Sequence, residues 1–325
     1  MKKLETTYLG LTLGSPLIVS SSRLTASLKG LKEAENNGAG AVVIKSIFEE
    51  QIHHEISSMH YPGSYPEADD YVAYYIEKNS VSEYLNLIKD AKKNLSIPVI
   101  ASVNCYSSRG WVEFARDIAE SGADALEVNV FFLPMDRKID SSQAEKLYFE
   151  IIEKLTGIVK IPLVIKLGFR FSNILYMIDQ FYMRGVKGVV LFNRFYEPDI
   201  DTDKMTLVPS EIYSKSGDMR NVLRWVAMSS AMKLGINISA STGVHSGNDA
   251  IKYLLAGADS VQVCSVLYNK GISYLKTMNS EIEKWMSDKG FNSIDEFRGK
   301  LNWRNIDHPE VYERTQFMKY FSSAD

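Results

Sequence analysis

Gly40-Ala41-Val42-Val43-Ile44-Lys45-Ser46 is the stretch whose reading decides the fold. A helical segment, Leu24–Asn37, stops near Gly38. A short apolar run rich in β-branched residues follows, and a lysine and a serine end it. A glycine stop followed by a continuous apolar run bounded by polar residues reads as a helix returning the chain to a buried parallel strand. Working outward, the same grammar recurs. Leu17-Ile18-Val19 precedes Ser20-Ser21-Ser22, and Val99-Ile100-Ala101-Ser102-Val103 precedes Asn104. Ala125-Leu126-Glu127-Val128 precedes Asn129, Leu163-Val164-Ile165 precedes Lys166, and Val189-Val190-Leu191-Phe192 precedes Asn193. Ile236-Asn237-Ile238-Ser239-Ala240 leads into Ser241-Thr242-Gly243, and Val261-Gln262-Val263 into Cys264-Ser265. Eight such runs separated by helical segments predict an α/β fold, the (β/α)8 TIM barrel, whose active site lies at the strand C-termini.

The intervening segments support this. Trp111–Ser121 before Gly122, Ile174–Arg184 before Gly185 and Ala250–Ala256 before Gly257 read as helices stopped by glycine. Two connections are longer than usual: Ile47 to about Asp70, and Asn193 to about Lys215. Both follow strands with polar ends, so they read as lids or substrate loops rather than plain surface excursions. The segment Tyr274–Asp325 is expected to be mostly helical, with Phe291–Leu301 a short helix. Its aromatics are expected in core or interface packing.

Composition narrows the function. The 325 residues suit one barrel of about 250 residues with insertions. With 45% hydrophobic and 24% charged residues the chain is of ordinary globular type. A net charge of −3 argues against a nucleic-acid or anionic-membrane footprint. No apolar run is long enough for a membrane span, and the N-terminus is not a secretory signal. Two cysteines, Cys105 and Cys264, make neither a disulfide framework nor a four-cysteine metal site. A cytoplasmic location is the expectation, with no metal.

The last two strand ends carry the first chemical signal. Gly243 lets backbone approach a ligand, and its N–H with the following helix start reads as a phosphate site. Cys264-Ser265 faces the same space, as expected of the loops after barrel strands seven and eight. Lys45 and Lys166 end buried strands, where an unpaired ammonium is costly. They either pair with a core carboxylate, Glu127 being a candidate, or face an anion or electron-rich ring in the pocket. Asn129 and Asn193 add amide donors and acceptors where strand propensity disfavours them. No Ser-His-Asp cluster and no strand-end carboxylate pair stands out. A bound cofactor doing the chemistry fits better.

Together these strand ends resemble the class 1 dihydroorotate dehydrogenases, which are FMN-binding (β/α)8 barrels. The likeness runs through Leu17–Ser22, Gly38–Ser46, Ala125–Asn129, Pro162–Leu167 and Ser241–Ala258, and again in Gly290–Leu301. It implies one FMN-binding barrel domain over residues 1–325, with 302–325 a helical tail. It also implies FMN contacts from Ser20, Ser21, Lys45, Ser46, Asn129, Lys166, Thr242, Gly243, Cys264 and Ser265. Lys166 matches the lysine beside the pyrimidine edge of the flavin, where a fixed cation stabilises the reduced ring. Pro209-Ser210-Glu211 departs from the family's glycine-rich stretch.

On the substrate side the resemblance implies Lys45, Ser57, Asn129, Asn193 and Arg194. Here the departures gather. Phe132 stands where the family has its catalytic cysteine, Ser57 and Pro134 stand for asparagines, and Arg194 stands for a hydroxyl residue. Candidate replacement acid–base groups are His60, Tyr61, Tyr196 and Glu197. The expectation is an FMN-dependent oxidoreductase of dihydroorotate dehydrogenase type with a rebuilt pocket for a small-molecule substrate. The family reaction is dihydroorotate to orotate in pyrimidine biosynthesis, and a homodimer is implied by resemblance. The alternatives are an FMN-binding homologue without turnover, acting in binding or regulation, and a flavin-free lyase or isomerase that binds a phosphorylated metabolite.

Overall fold

The computed structural model describes residues 4–48, 66–105, 111–130, 132–194 and 197–314, with backbone alone at 66–79, 105 and 111–113. The chain opens with an antiparallel hairpin, β1 (Thr6–Tyr8) and β2 (Leu11–Leu13). The following strands are β3 (Leu17–Val19), β4 (Ala41–Val43), the short β5 (Ile47–Phe48), β6 (Val99–Cys105), β7 (Ala125–Val130), β8 (Leu163–Leu167) and β9 (Gly188–Leu191). A second hairpin, β10 (Pro198–Asp201) and β11 (Thr206–Pro209), precedes β12 (Asn237–Ala240) and β13 (Ser260–Val263).

Strands β3, β4, β6, β7, β8, β9, β12 and β13 are parallel. Pairing of β4 with β6 closes them into a barrel. These eight are the apolar runs read from the sequence. The helices around them are α1 (Leu28–Asn36), α2 (Pro66–Asn94), α3 (Trp111–Glu120), α4 (Ser141–Thr156), α5 (Ile174–Met183), α6 (Met219–Ser230) and α7 (Gly247–Ala256). After β13 come α8 (Ser265–Lys270), α9 (Tyr274–Lys289) and α10 (Glu310–Glu313).

Strand alternation sorts the side chains. One set, including Leu17, Val42, Leu126, Ile165 and Val261, packs outward in the large core with the helices. The other points into the barrel. Its lower layer is apolar, with Ile18, Val43, Ile100, Ala125, Val164 and Val190 closed from below by Tyr8, Leu9 and Leu13 of the N-terminal hairpin. That hairpin sits so close that a Cβ on Gly188 would lie 2.7 Å from Leu9 Cδ2. The layer above is polar, and it forms the floor of the site.

The long connection after β9 carries the β10–β11 hairpin. One expectation is corrected. The chain after Lys289 is not mostly helical. Phe291–Leu301 holds one 3₁₀ turn, Ile294–Glu296, and 302–309 is turns. The reason is docking. Gly299 and Leu301 N–H bond to the Leu254 and Leu255 carbonyls, and Trp303 N–H bonds to Ala227 O. These bonds replace a helical ladder while Phe297 is buried against Trp285. Residues 315–325 of the expected tail lie outside the described residues.

Candidate functional site

The polar layer begins with Lys166 at the end of β8. Its ammonium donates to Glu127 Oε1 (3.2 Å), Gln262 Oε1 (2.9 Å) and Ser20 Oγ (3.3 Å). Those are all three of its protons. Gln262 Nε2 donates to the other Glu127 oxygen at 2.6 Å, and Ser20 Oγ donates to Gln262 Oε1 at 3.0 Å. The core-carboxylate reading of Lys166 therefore holds, and Glu127 is the partner. Gln262 was not among the residues singled out from the sequence. Its signal was a lone amide in the apolar strand Ser260–Val263, at an inward position two residues from Ser260.

Above this floor lies a cavity of ≈ 490 Å³ at the C-terminal end of the barrel. That is within the range of about 300–1,000 Å³ for small-molecule sites. Of the residues expected to touch a cofactor, Ser20, Ser21, Lys166, Thr242, Gly243, Cys264 and Ser265 line it. Ser46 stands one layer back, bonded to Ser21 Oγ (2.9 Å) and Ser102 Oγ (2.7 Å). Asn129 is buried and accepts a bond from Asn193 Nδ2 at 3.1 Å, and Asn193 lines the cavity. Lys45 lies in the gap between β4 and β5, partly buried.

Gly243 follows Thr242 in a left-handed turn, with φ of +76° at each. A Cβ at Gly243 would lie 2.4 Å from Met219 N at the start of α6, so only glycine fits. The start of α7 is less available than the sequence suggested. Gly247 N–H is taken by Glu281 Oε2 (2.5 Å) and Asp249 N–H by Ser246 Oγ (3.2 Å). Burial alone would raise the Asp249 carboxyl, but bonds from Lys252, His245 N–H and Ser246 hold it below its ordinary range. Burial pushes the Cys264 thiol up against the pull of Lys166 and Ser22, so it is a protonated wall group and not a nucleophile.

The remaining wall comes from the chain between β11 and α6. Ser210, Glu211, Ile212, Tyr213 and Ser214 line the cavity. Arg194 ties this segment to the end of β9, through Asp218 Oδ2 (2.7 Å) and Glu211 O (2.6 Å). Tyr213 and Tyr268 stand together at the cavity, ring centroids 5.4 Å apart.

The dihydroorotate dehydrogenase family model matches residues 3–286 of this chain. This chain belongs to the dihydroorotate dehydrogenase family. A dihydroorotate dehydrogenase B (NAD(+)) catalytic subunit from Thermoplasma volcanium is 26% identical, over 92% of this chain and 98% of its own length. A dihydroorotate dehydrogenase (fumarate) from Saccharomyces cerevisiae is 25% identical, over 92% and 98%. A chloroplastic dihydropyrimidine dehydrogenase (NADP(+)) from Arabidopsis thaliana is 23% identical, over 96% and 80%.

Within this family barrel, Phe132 follows β7 and is partly buried. Glu197 is exposed and lines the cavity edge. Ser57, His60, Tyr61 and Tyr196 lie outside the described residues. Among the described residues no group of three or more His, Cys, Asp or Glu could hold a metal, and no helix is long and apolar enough to cross a membrane.

Proposed function

We propose that this protein is an FMN-dependent oxidoreductase that oxidises or reduces a small organic substrate other than dihydroorotate. The observation that carries this is the convergence of Ser20, Ser21, Lys166, Thr242, Gly243, Cys264 and Ser265 on one cavity. The lining suits FMN: a fixed positive charge and hydroxyls at the floor, and a glycine turn with a serine hydroxyl at the β12–β13 end. Bound FMN would supply the acceptor or donor of a hydride.

The chain's own residues orient and exclude. Lys166 presents a cation whose rotamer is locked by Glu127 and Gln262. Gly243 admits the close approach of the Met219 backbone and so fixes the turn at the end of β12. The Asn193 amide, tied through Nδ2 to Asn129 Oδ1, leaves its own oxygen at the cavity for a polar substrate edge. Phe132 cannot take a proton, and a positioned base typically contributes about 10²–10⁴-fold. Two carboxylates line the cavity among the described residues, and Glu211 is paired with Lys215. Glu197 is therefore the group we assign to proton transfer.

A second reading is an FMN-binding protein without turnover. The apolar Phe132 at the family's base position favours it. The test is an anaerobic titration of the FMN-loaded protein, with dihydroorotate first and dithionite second. The flavin band is expected to persist through dihydroorotate and bleach with dithionite. Bleaching by dihydroorotate would overturn the substrate claim.

A further inference from the structure

Beneath the cavity lies a charge that the cavity does not touch. Glu127 is 1% exposed and does not line the cavity, whereas Lys166 and Gln262 do. In register Glu127 pairs with Val164 and Asn129 with Lys166. The carboxylate therefore rises from one inward layer deeper in the barrel than the lysine. Its oxygens are taken by Lys166 Nζ (3.2 Å) and Gln262 Nε2 (2.6 Å).

The three protons of the Lys166 ammonium go to Glu127, Gln262 and Ser20. None is left to bond a ring above the floor, so what Lys166 supplies to the cavity is its field. That field reaches the wall: burial pushes the Cys264 thiol up, and Lys166 pulls against it. It is not the field of a bare cation. With the carboxylate behind the ammonium, the pair is a dipole whose positive end faces the cavity. Both side chains are buried, so salt screens neither as it would a surface charge.

A flavin ring gains negative charge on reduction. A fixed cation beside it stabilises the reduced form, and a carboxylate behind that cation works against it. We infer that Glu127 sets the reduction potential of the bound flavin, as a positioning residue that acts through Lys166. It holds the ammonium at the floor, and its own charge keeps the potential low. This rests on the FMN reading and deepens it.

The test is the midpoint potential of the FMN-loaded full-length protein. It is read from the flavin band against a reference dye during anaerobic reduction with dithionite, with FMN affinity measured alongside. Glu127→Gln removes the charge at nearly constant shape. It should favour the reduced flavin by about tenfold or more, about 30 mV upward for a two-electron couple. In Glu127→Gln/Gln262→Glu the amide and the carboxylate trade places, and the negative charge moves to a side chain that lines the cavity. Its potential should fall below that of the parent. A Glu127→Gln equilibrium within about twofold of the parent, about 10 mV, would overturn the inference and leave the FMN reading standing. Weaker FMN binding at the parental potential would make Glu127 structural and overturn it too. A double variant at or above the parental potential would also overturn it, and it decides the matter where Glu127→Gln alone does not fold. A parent protein that holds no FMN would overturn the FMN reading and the inference with it.

Discussion

Lys166 Nζ lies 3.2 Å from Glu127 Oε1, with the two side chains 8% and 1% exposed. A cation at the floor of the cavity is thus held by a carboxylate from the neighbouring strand, and Gln262 bridges both. Removing one partner from such a buried pair leaves the other uncompensated, which typically costs about 3–5 kcal/mol. Glu127→Leu should show a loss of that size in urea unfolding, and Glu127→Leu/Lys166→Met clearly less than the sum of the single changes. A single-variant loss under about 1 kcal/mol would mean the pair is not buried as described.

Arg194 acts as a clasp on the segment that walls the cavity. Its partner Asp218 is partly exposed, so global stability should change by no more than about 1 kcal/mol in Arg194→Met. Local opening should change more. Tryptic cleavage after Lys215, inside the clasped segment, should be several-fold faster in Arg194→Met. Equal rates would show that Ser210–Ser216 holds its place without the clasp.

Gly243→Ala tests the turn at the β12 end. The φ of +76° and the approach of Met219 N leave no room for a side chain. Strain and overpacking there cost about 1–3 kcal/mol. The midpoint of thermal unfolding should fall, and FMN affinity should fall with it. A variant with parental midpoint and affinity would contradict the close contact.

Alkaline pH provides a fourth handle. Burial raises the Tyr148 phenol to about 12 and lifts Tyr84 and Tyr253 further. The unfolded chain has these phenols near their usual value of about 10, so above that pH it binds fewer protons than the native state. Stability is full below about pH 10 and falls as pH rises towards 12. Ultraviolet titration of the native protein should show tyrosines that resist ionisation past pH 11, with Tyr148→Phe removing one of them. If every tyrosine titrates near 10 in the folded protein, the burial of these rings is wrong.

The barrel was legible because strands buried on both faces need unbroken apolar runs, and all eight runs became barrel strands. Lys166 was legible as an anomaly, since an ammonium in such a strand demands a partner, and Glu127 provides it. Gln262 was hidden because an uncharged amide raises no such alarm until its neighbours are known. Ser214 was hidden for another reason. It reaches the cavity through a segment whose path is set by Arg194 and Asp218. Phe291–Leu301 departs from the expected helix because backbone bonds to α7 and burial of Phe297 take the place of a helical ladder.

Whether the cavity takes FMN is the central question for this barrel. The measurement is the visible absorption spectrum of the full-length protein after incubation with FMN and removal of free flavin by gel filtration. A flavin band that travels with the protein, near one flavin per chain and much reduced in Gly243→Ala, is the predicted result. A colourless protein peak under the same conditions would contradict the account and return the barrel to the flavin-free readings.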